Sequence, residues 1–149
     1  MKKLILFIGL LLPWFVSSLF TLDTSFYNEI NLPKFAPAPI IFGIVWPILY
    51  GLIAFSSYLI YQEYGKKEKE YNQILFINYL LNQLYPLLFF KLHSLFLSFV
   101  DVVAIFLSTL FLYYESKSLN KTSSKLLLPY LAWNFFALIL STTIYFMNL

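Results

Sequence analysis

Residues 32–61 read LPKFAPAPIIFGIVWPILYGLIAFSSYLIY, a proline-punctuated segment that runs straight into a long apolar one. Pro33, Pro37 and Pro39 fix φ, remove amide donors and hold the residues before them extended, so the first part is neither helix nor central strand. Over residues 40–61 the only polar groups are serine and tyrosine hydroxyls and the Trp46 indole. Such a run is long enough to cross a bilayer as a helix. Trp46 and Tyr50 fall one turn apart on it. A stiff loop joined to an aromatic helix reads as the lid and wall of a ligand site.

Outward from this stretch, the chain keeps the same character. Its 149 residues are 60% hydrophobic, 21% aromatic and only 11% charged, more apolar than the core of a soluble domain requires. Apolar runs suggest spans over residues 4–20, 39–61, 71–90, 95–114 and 126–147. The first follows Lys2 and Lys3 and shares features with a signal peptide, but the large Phe15 and Val16 before Ser17 and Ser18 favour an uncleaved span. Residues 21–38 form the first loop, with Phe26 and Tyr27 as interfacial aromatics. Residues 64–70 (YGKKEKE) make a charged turn, residues 91–94 a turn too tight for anything but a hairpin, and residues 115–125 a polar loop. Pro129 falls in the first turn of the last span, where a missing donor costs little. The expected fold is an all-α membrane protein, a single domain over residues 1–149, built as a five-helix transmembrane bundle with the proline-rich first loop as its lid.

The ten cations are all lysine. With the amino terminus cytoplasmic, eight of them (Lys2, Lys3, Lys66, Lys67, Lys69, Lys117, Lys121 and Lys125) share that side, and only Lys34 and Lys91 lie across the membrane. This asymmetry predicts a cell-membrane protein with its amino terminus inside, its carboxyl terminus outside and the proline-rich loop on the non-cytoplasmic face. Lysines confined to the connections suit lipid headgroups rather than nucleic acid, which is not an expected partner.

Polar side chains within spans are few and therefore informative. Asn78, Asn82, Tyr85 and Phe89 share one face of the third span, and Pro86 kinks it beside them. Interhelical bonding is the preferred role for Asn78, whereas a ligand role is equally open for Asn82. On the second span Trp46, Tyr50, Ile53 and Ser57 align, and Pro47 deprives the Gly43 carbonyl of its helical donor. On the fifth, Tyr130, Trp133, Ala137, Leu140 and Ile144 align, with Ser141 alongside. Asp101 is the one acid within a span, and two roles are open to it: a ligand or proton contact, or an interhelical bond to a Tyr, Asn or Ser. The chain has no cysteine, and its single His93 cannot make a multi-residue metal site, leaving only an axial bond to haem as a metal role. No metal or catalytic residue is assigned, and no catalytic triad, paired-carboxylate site or phosphate-cradling glycine loop is present.

Three motifs resemble those of the tryptophan-rich sensory protein or translocator protein family (TspO/MBR). LPKFAPAPIIFGIVWPILYGL compares with the family's KPxWxPPxxxFxxVWxxLYxL, LNQLYPLLFF (residues 81–90) with LNxxWxPxFF, and LPYLAWNFFALILS (residues 128–141) with LPYxxWxxFAxxLN. Phe35, Tyr85 and Ser141 stand where the family pattern has Trp, Trp and Asn. The resemblance implies a five-helix bundle, often a homodimer, with a pocket capped by the first loop that takes porphyrins such as protoporphyrin IX, or haem, as ligands rather than as a required cofactor. Carried over, the pocket would use Trp46, Tyr50, Asn82, Tyr85, Pro86, Trp133 and Ala137, with Phe35, Pro37 and Pro39 in the lid. Asn78, Phe89, Asp101, Leu140 and Ser141 complete the candidate ligand-binding set. The resemblance implies a receptor or sensor. The alternatives are light-dependent breakdown of bound porphyrin, for which Trp46 and Trp133 would be the photochemical residues, and a small transporter using Asp101. No basic residue follows Tyr145 as a sterol-recognition pattern requires, so sterol is a doubtful partner.

Overall fold

A computed structural model describes residues 2–20, 25–65 and 67–149. Residues 21–24 of the first loop and Lys66 of the charged turn lie outside the described residues. Its helices are α1 (Lys2–Leu11), α2 (Ser25–Glu29), α3 (Pro39–Tyr64), α4 (Lys69–Pro86), α5 (Leu95–Leu119), α6 (Lys121–Leu126) and α7 (Leu128–Met147). A 3₁₀ segment, Leu12–Phe20, continues α1, and a π-type turn, Leu87–Lys91, continues α4. Both changes of winding fall beside a proline, Pro13 or Pro86, where the missing amide breaks the ladder of α-type bonds.

Among the described residues, four stretches are long and apolar enough to cross a membrane, Pro39–Tyr64, Lys69–Lys91, Leu95–Leu119 and Lys121–Met147, and Lys3–Ser17 is a shorter apolar helix. The protein is thus an all-helical membrane protein whose plan accords with a five-helix bundle. Its outward faces carry exposed Ile44, Ile48, Phe76, Leu107 and Phe111, which suit lipid. α5 packs along α4 and α7, and α1 lies on α3.

Residues 115–125 differ from the expected polar loop. α5 continues to Leu119, the chain turns at Asn120, and α6 begins at Lys121. Polarity does not break a helix; here the cap does. The Asn120 side chain accepts from the Ser123 amide at 2.9 Å, satisfying a donor that the new helix leaves open. Ser56 and Ser123 then exchange hydroxyl-to-carbonyl bonds at 3.0 Å in both directions, which fastens α6 to α3.

The first loop also differs from its reading as a belt of interfacial aromatics. Tyr27 is buried on α2 and donates to the Pro37 carbonyl at 2.9 Å. Burial pushes its phenol above the ordinary range, which keeps it protonated as that donor. Phe26 stacks on His93, with ring centroids 4.2 Å apart, and so ties the loop to the turn between α4 and α5. Asn31 and Asn148 complete the attachment by exchanging two 2.9 Å bonds across 117 residues.

Candidate functional site

α3 presents Pro39, Phe42, Gly43, Trp46, Pro47 and Tyr50 on one face, and this face forms one wall of a cavity of about 290 Å³. That volume sits at the lower end of the ~300–1,000 Å³ typical of small-molecule sites. The end of α4 and its π turn supply Asn82, Tyr85, Pro86, Phe89 and Phe90, while α5 supplies Val102 and Ile105. α7 supplies Trp133, Asn134, Ala137, Leu140, Ser141 and Ile144, and Phe15, Ser17 and Tyr27 complete the lining. The start of α3 meets the end of α4 here, so the cavity occupies the half of the bundle beneath the first loop.

Aromatic packing sets its walls. Trp46 lies 5.5 Å from Tyr50, which in turn lies 5.5 Å from Trp14, and both pairs are tilted by about 30°. The Tyr50 hydroxyl is held 3.1 Å from Ser17 Oγ. On the opposite side Trp133 packs edgewise on Phe42 at 5.9 Å, and Tyr85 stacks on Phe89 at 5.7 Å. Rings in offset or edge contact hold one another in place and leave their remaining faces to a ligand.

Behind the wall lies a buried polar network joining α4, α5 and α7. Asn78, fully buried, donates to Ser108 Oγ at 2.8 Å and to Thr109 Oγ1 at 3.0 Å, and accepts from the Tyr130 hydroxyl at 2.9 Å. Asn82 donates to the Asn78 carbonyl at 2.7 Å and to Tyr130 at 2.8 Å, and Asn134 donates to Thr109 at 2.8 Å.

Of the residues singled out from sequence, Pro39, Trp46, Tyr50, Asn82, Tyr85, Pro86, Phe89, Trp133, Ala137, Leu140 and Ser141 come together around the cavity. Phe35, Pro37, Asn78 and Asp101 do not line it. Phe35 is half exposed and meets Phe136 edgewise at 6.4 Å, and Pro37 acts through its carbonyl as the acceptor of Tyr27. Asn78 holds helices together. Asp101 is buried, and among the described residues neither carboxylate oxygen has a hydrogen-bond partner, so the interhelical bond open to it from sequence is not formed.

Besides Phe90, Val102 and Ile105, sequence reasoning missed Phe15, Ser17, Tyr27, Phe42 and Asn134. Two of these last five carried a signal. Phe42 stands one turn before Trp46, and Asn134 is an amide within a span, which is costly unless paired or functional. The other three reach the cavity only because the first segment and the lid fold onto α3 and α4.

Long helices around an aromatic cavity under a proline-rich loop define a polytopic membrane protein. The chain belongs to the TspO/MBR family, whose model matches residues 4–147. It is 39% identical over 136 residues to the tryptophan-rich protein TspO of Bacillus cereus, covering 91% of this chain and 89% of that one. It is also 35% identical over 132 residues to the uncharacterized membrane protein YtaB of Bacillus subtilis, covering 88% and 85% of the two chains. A tryptophan-rich protein TspO of Archaeoglobus fulgidus is 32% identical over 140 residues, covering 90% and 88%.

Proposed function

We propose that the protein is a membrane receptor or sensory protein that binds a porphyrin, or a similar flat apolar ligand, in this cavity. The observation that carries the reading is the convergence of Trp46 with Tyr50, Tyr85 with Phe89, and Trp133 on one enclosed space. Rigid aromatic walls contact a flat ring over a large area at little entropic cost. His93 is stacked on Phe26 and is not among the lining residues, which favours binding through the ring faces over an axial bond to iron. Protoporphyrin IX added to purified protein is expected to quench tryptophan fluorescence saturably. Trp46→Phe and Trp133→Phe are each expected to weaken its affinity by roughly fivefold to tenfold, in line with the ~1 kcal/mol of an aromatic contact. Unchanged affinity in both variants would remove the ligand from this cavity.

The lysine distribution supports an orientation with the lid on the non-cytoplasmic face. The absence of native cysteine makes this directly measurable. In intact cells, Lys34→Cys is expected to react with a membrane-impermeant maleimide and Lys117→Cys only after lysis. The opposite pattern would invert the topology.

A further inference from the structure

Hydrogen positions in the buried network follow from two backbone carbonyls that can only accept. Ser108 and Thr109 each donate their single hydroxyl proton to the Ile105 carbonyl, at 2.9 and 2.8 Å. Both hydroxyls must therefore accept in every other contact. The amide atoms that approach them from Asn78 and Asn134 are consequently nitrogens, and Asn78 Oδ1 is left to receive the Tyr130 hydroxyl proton. With that proton committed, Tyr130 can only accept from Asn82. The Asn78 backbone carbonyl imposes the same orientation on Asn82 independently. Both hydrogens of the Asn82 amide are thereby used. Its Oδ1, and that of Asn134, have no partner among the described residues, and both residues line the cavity. The amide orientations, normally ambiguous, are fixed here by the network itself. Gly43, whose carbonyl Pro47 cannot serve, is a residue of the facing wall.

We propose that Asn82 and Asn134 present fixed acceptors to the cavity, so that it selects flat apolar ligands carrying an N–H or O–H donor on their rim. Tyr130 is a positioning residue that, together with the Asn78 backbone carbonyl, holds the Asn82 amide with its carbonyl toward the ligand while standing outside the lining itself. A site with fixed acceptors discriminates against a ligand that lacks the donor, because entry would bury those oxygens unpaired.

This inference rests on the cavity being a ligand site, and its test separates the two. Carbazole has one rim N–H on a flat apolar frame; N-methylcarbazole has none. Binding of each to the purified full-length protein is measured by titration, with protein-free detergent giving the background. The wild type is expected to bind carbazole at least about tenfold more tightly than N-methylcarbazole, the value of one hydrogen bond. Replacing both acceptors, Asn82→Leu with Asn134→Leu, is expected to bring the ratio close to one while N-methylcarbazole still binds. Tyr130→Phe is expected to narrow the ratio, a change that a merely structural role would not produce because it would weaken both probes alike. Equal binding of the two probes by the wild type, or a ratio unchanged when both Asn82 and Asn134 are replaced by leucine, would overturn the acceptor assignment and leave the cavity intact. Binding of neither probe above background would overturn both.

Discussion

Gly43→Leu is expected to weaken ligand binding severely while leaving the fold in place. Gly43 sits at the centre of the α3 face that lines the cavity, between Pro39 and Pro47, and a Cβ added there would meet nothing within 4 Å. The helical backbone accepts a leucine without strain, since glycine is a poorer helix former than leucine. The new side chain therefore has one consequence of note: it takes the space between Trp46 and the opposite wall. A ligand must then displace it or repack around it, an overpacking cost of ~1–3 kcal/mol or more. Affinity for protoporphyrin IX is expected to fall about a hundredfold, equivalent to ~2.7 kcal/mol, by fluorescence quenching. The midpoint of thermal unfolding in detergent is expected to change by no more than ~2 °C. Wild-type affinity in this variant would show that the ligand binds elsewhere.

Asn78→Leu is the complementary experiment, because it strikes the fold behind the wall rather than the cavity. Asn78 is fully buried and bonds Ser108, Thr109 and Tyr130 on two neighbouring helices. Leucine is close in size, so the principal loss is polar. Interhelical hydrogen bonds in membrane proteins are each worth ~0.6–2 kcal/mol. The Tyr130 hydroxyl would also lose its acceptor, at ~1–3 kcal/mol for a buried donor. Allowing for relaxation, the variant is expected to lose ~2–4 kcal/mol, or ~5–12 °C in unfolding midpoint for a chain of this length. A decrease below ~2 °C would mean that apolar packing alone holds α4, α5 and α7 together.

The two variants separate roles that their stripes alone did not. Asn78 and Asn82 are one turn apart on the same helix face, and periodicity cannot say which looks into a cavity and which is sealed against α5. The pairing of Asn78 with Ser108 and Thr109 decides it. Asp101 shows the same limit. Its position next to the cavity-lining Val102 gives no indication that its own side chain stays out of the lining and, among the described residues, finds no hydrogen-bond partner.

What the chain determines by itself is local. Apolar length marks the long spans, proline marks the changes of winding at Pro13 and Pro86, and spacing puts Trp46 with Tyr50 and Tyr85 with Phe89 on common faces, because each follows from the covalent chain and the 3.6-residue turn. The motifs around Trp46, Asn82 and Trp133 also identified the family in advance of the structure. Tertiary structure alone decided what those faces meet. Phe15, Ser17 and Tyr27 enter the cavity through the folding of the first segment and the lid, and Asn31 finds Asn148 across 117 residues, contacts that no sequence period encodes. The second bond that holds the Asn82 amide is of the same kind, since Tyr130 accepts it with its own proton committed to Asn78, and only packing brings α7 within hydrogen-bond reach.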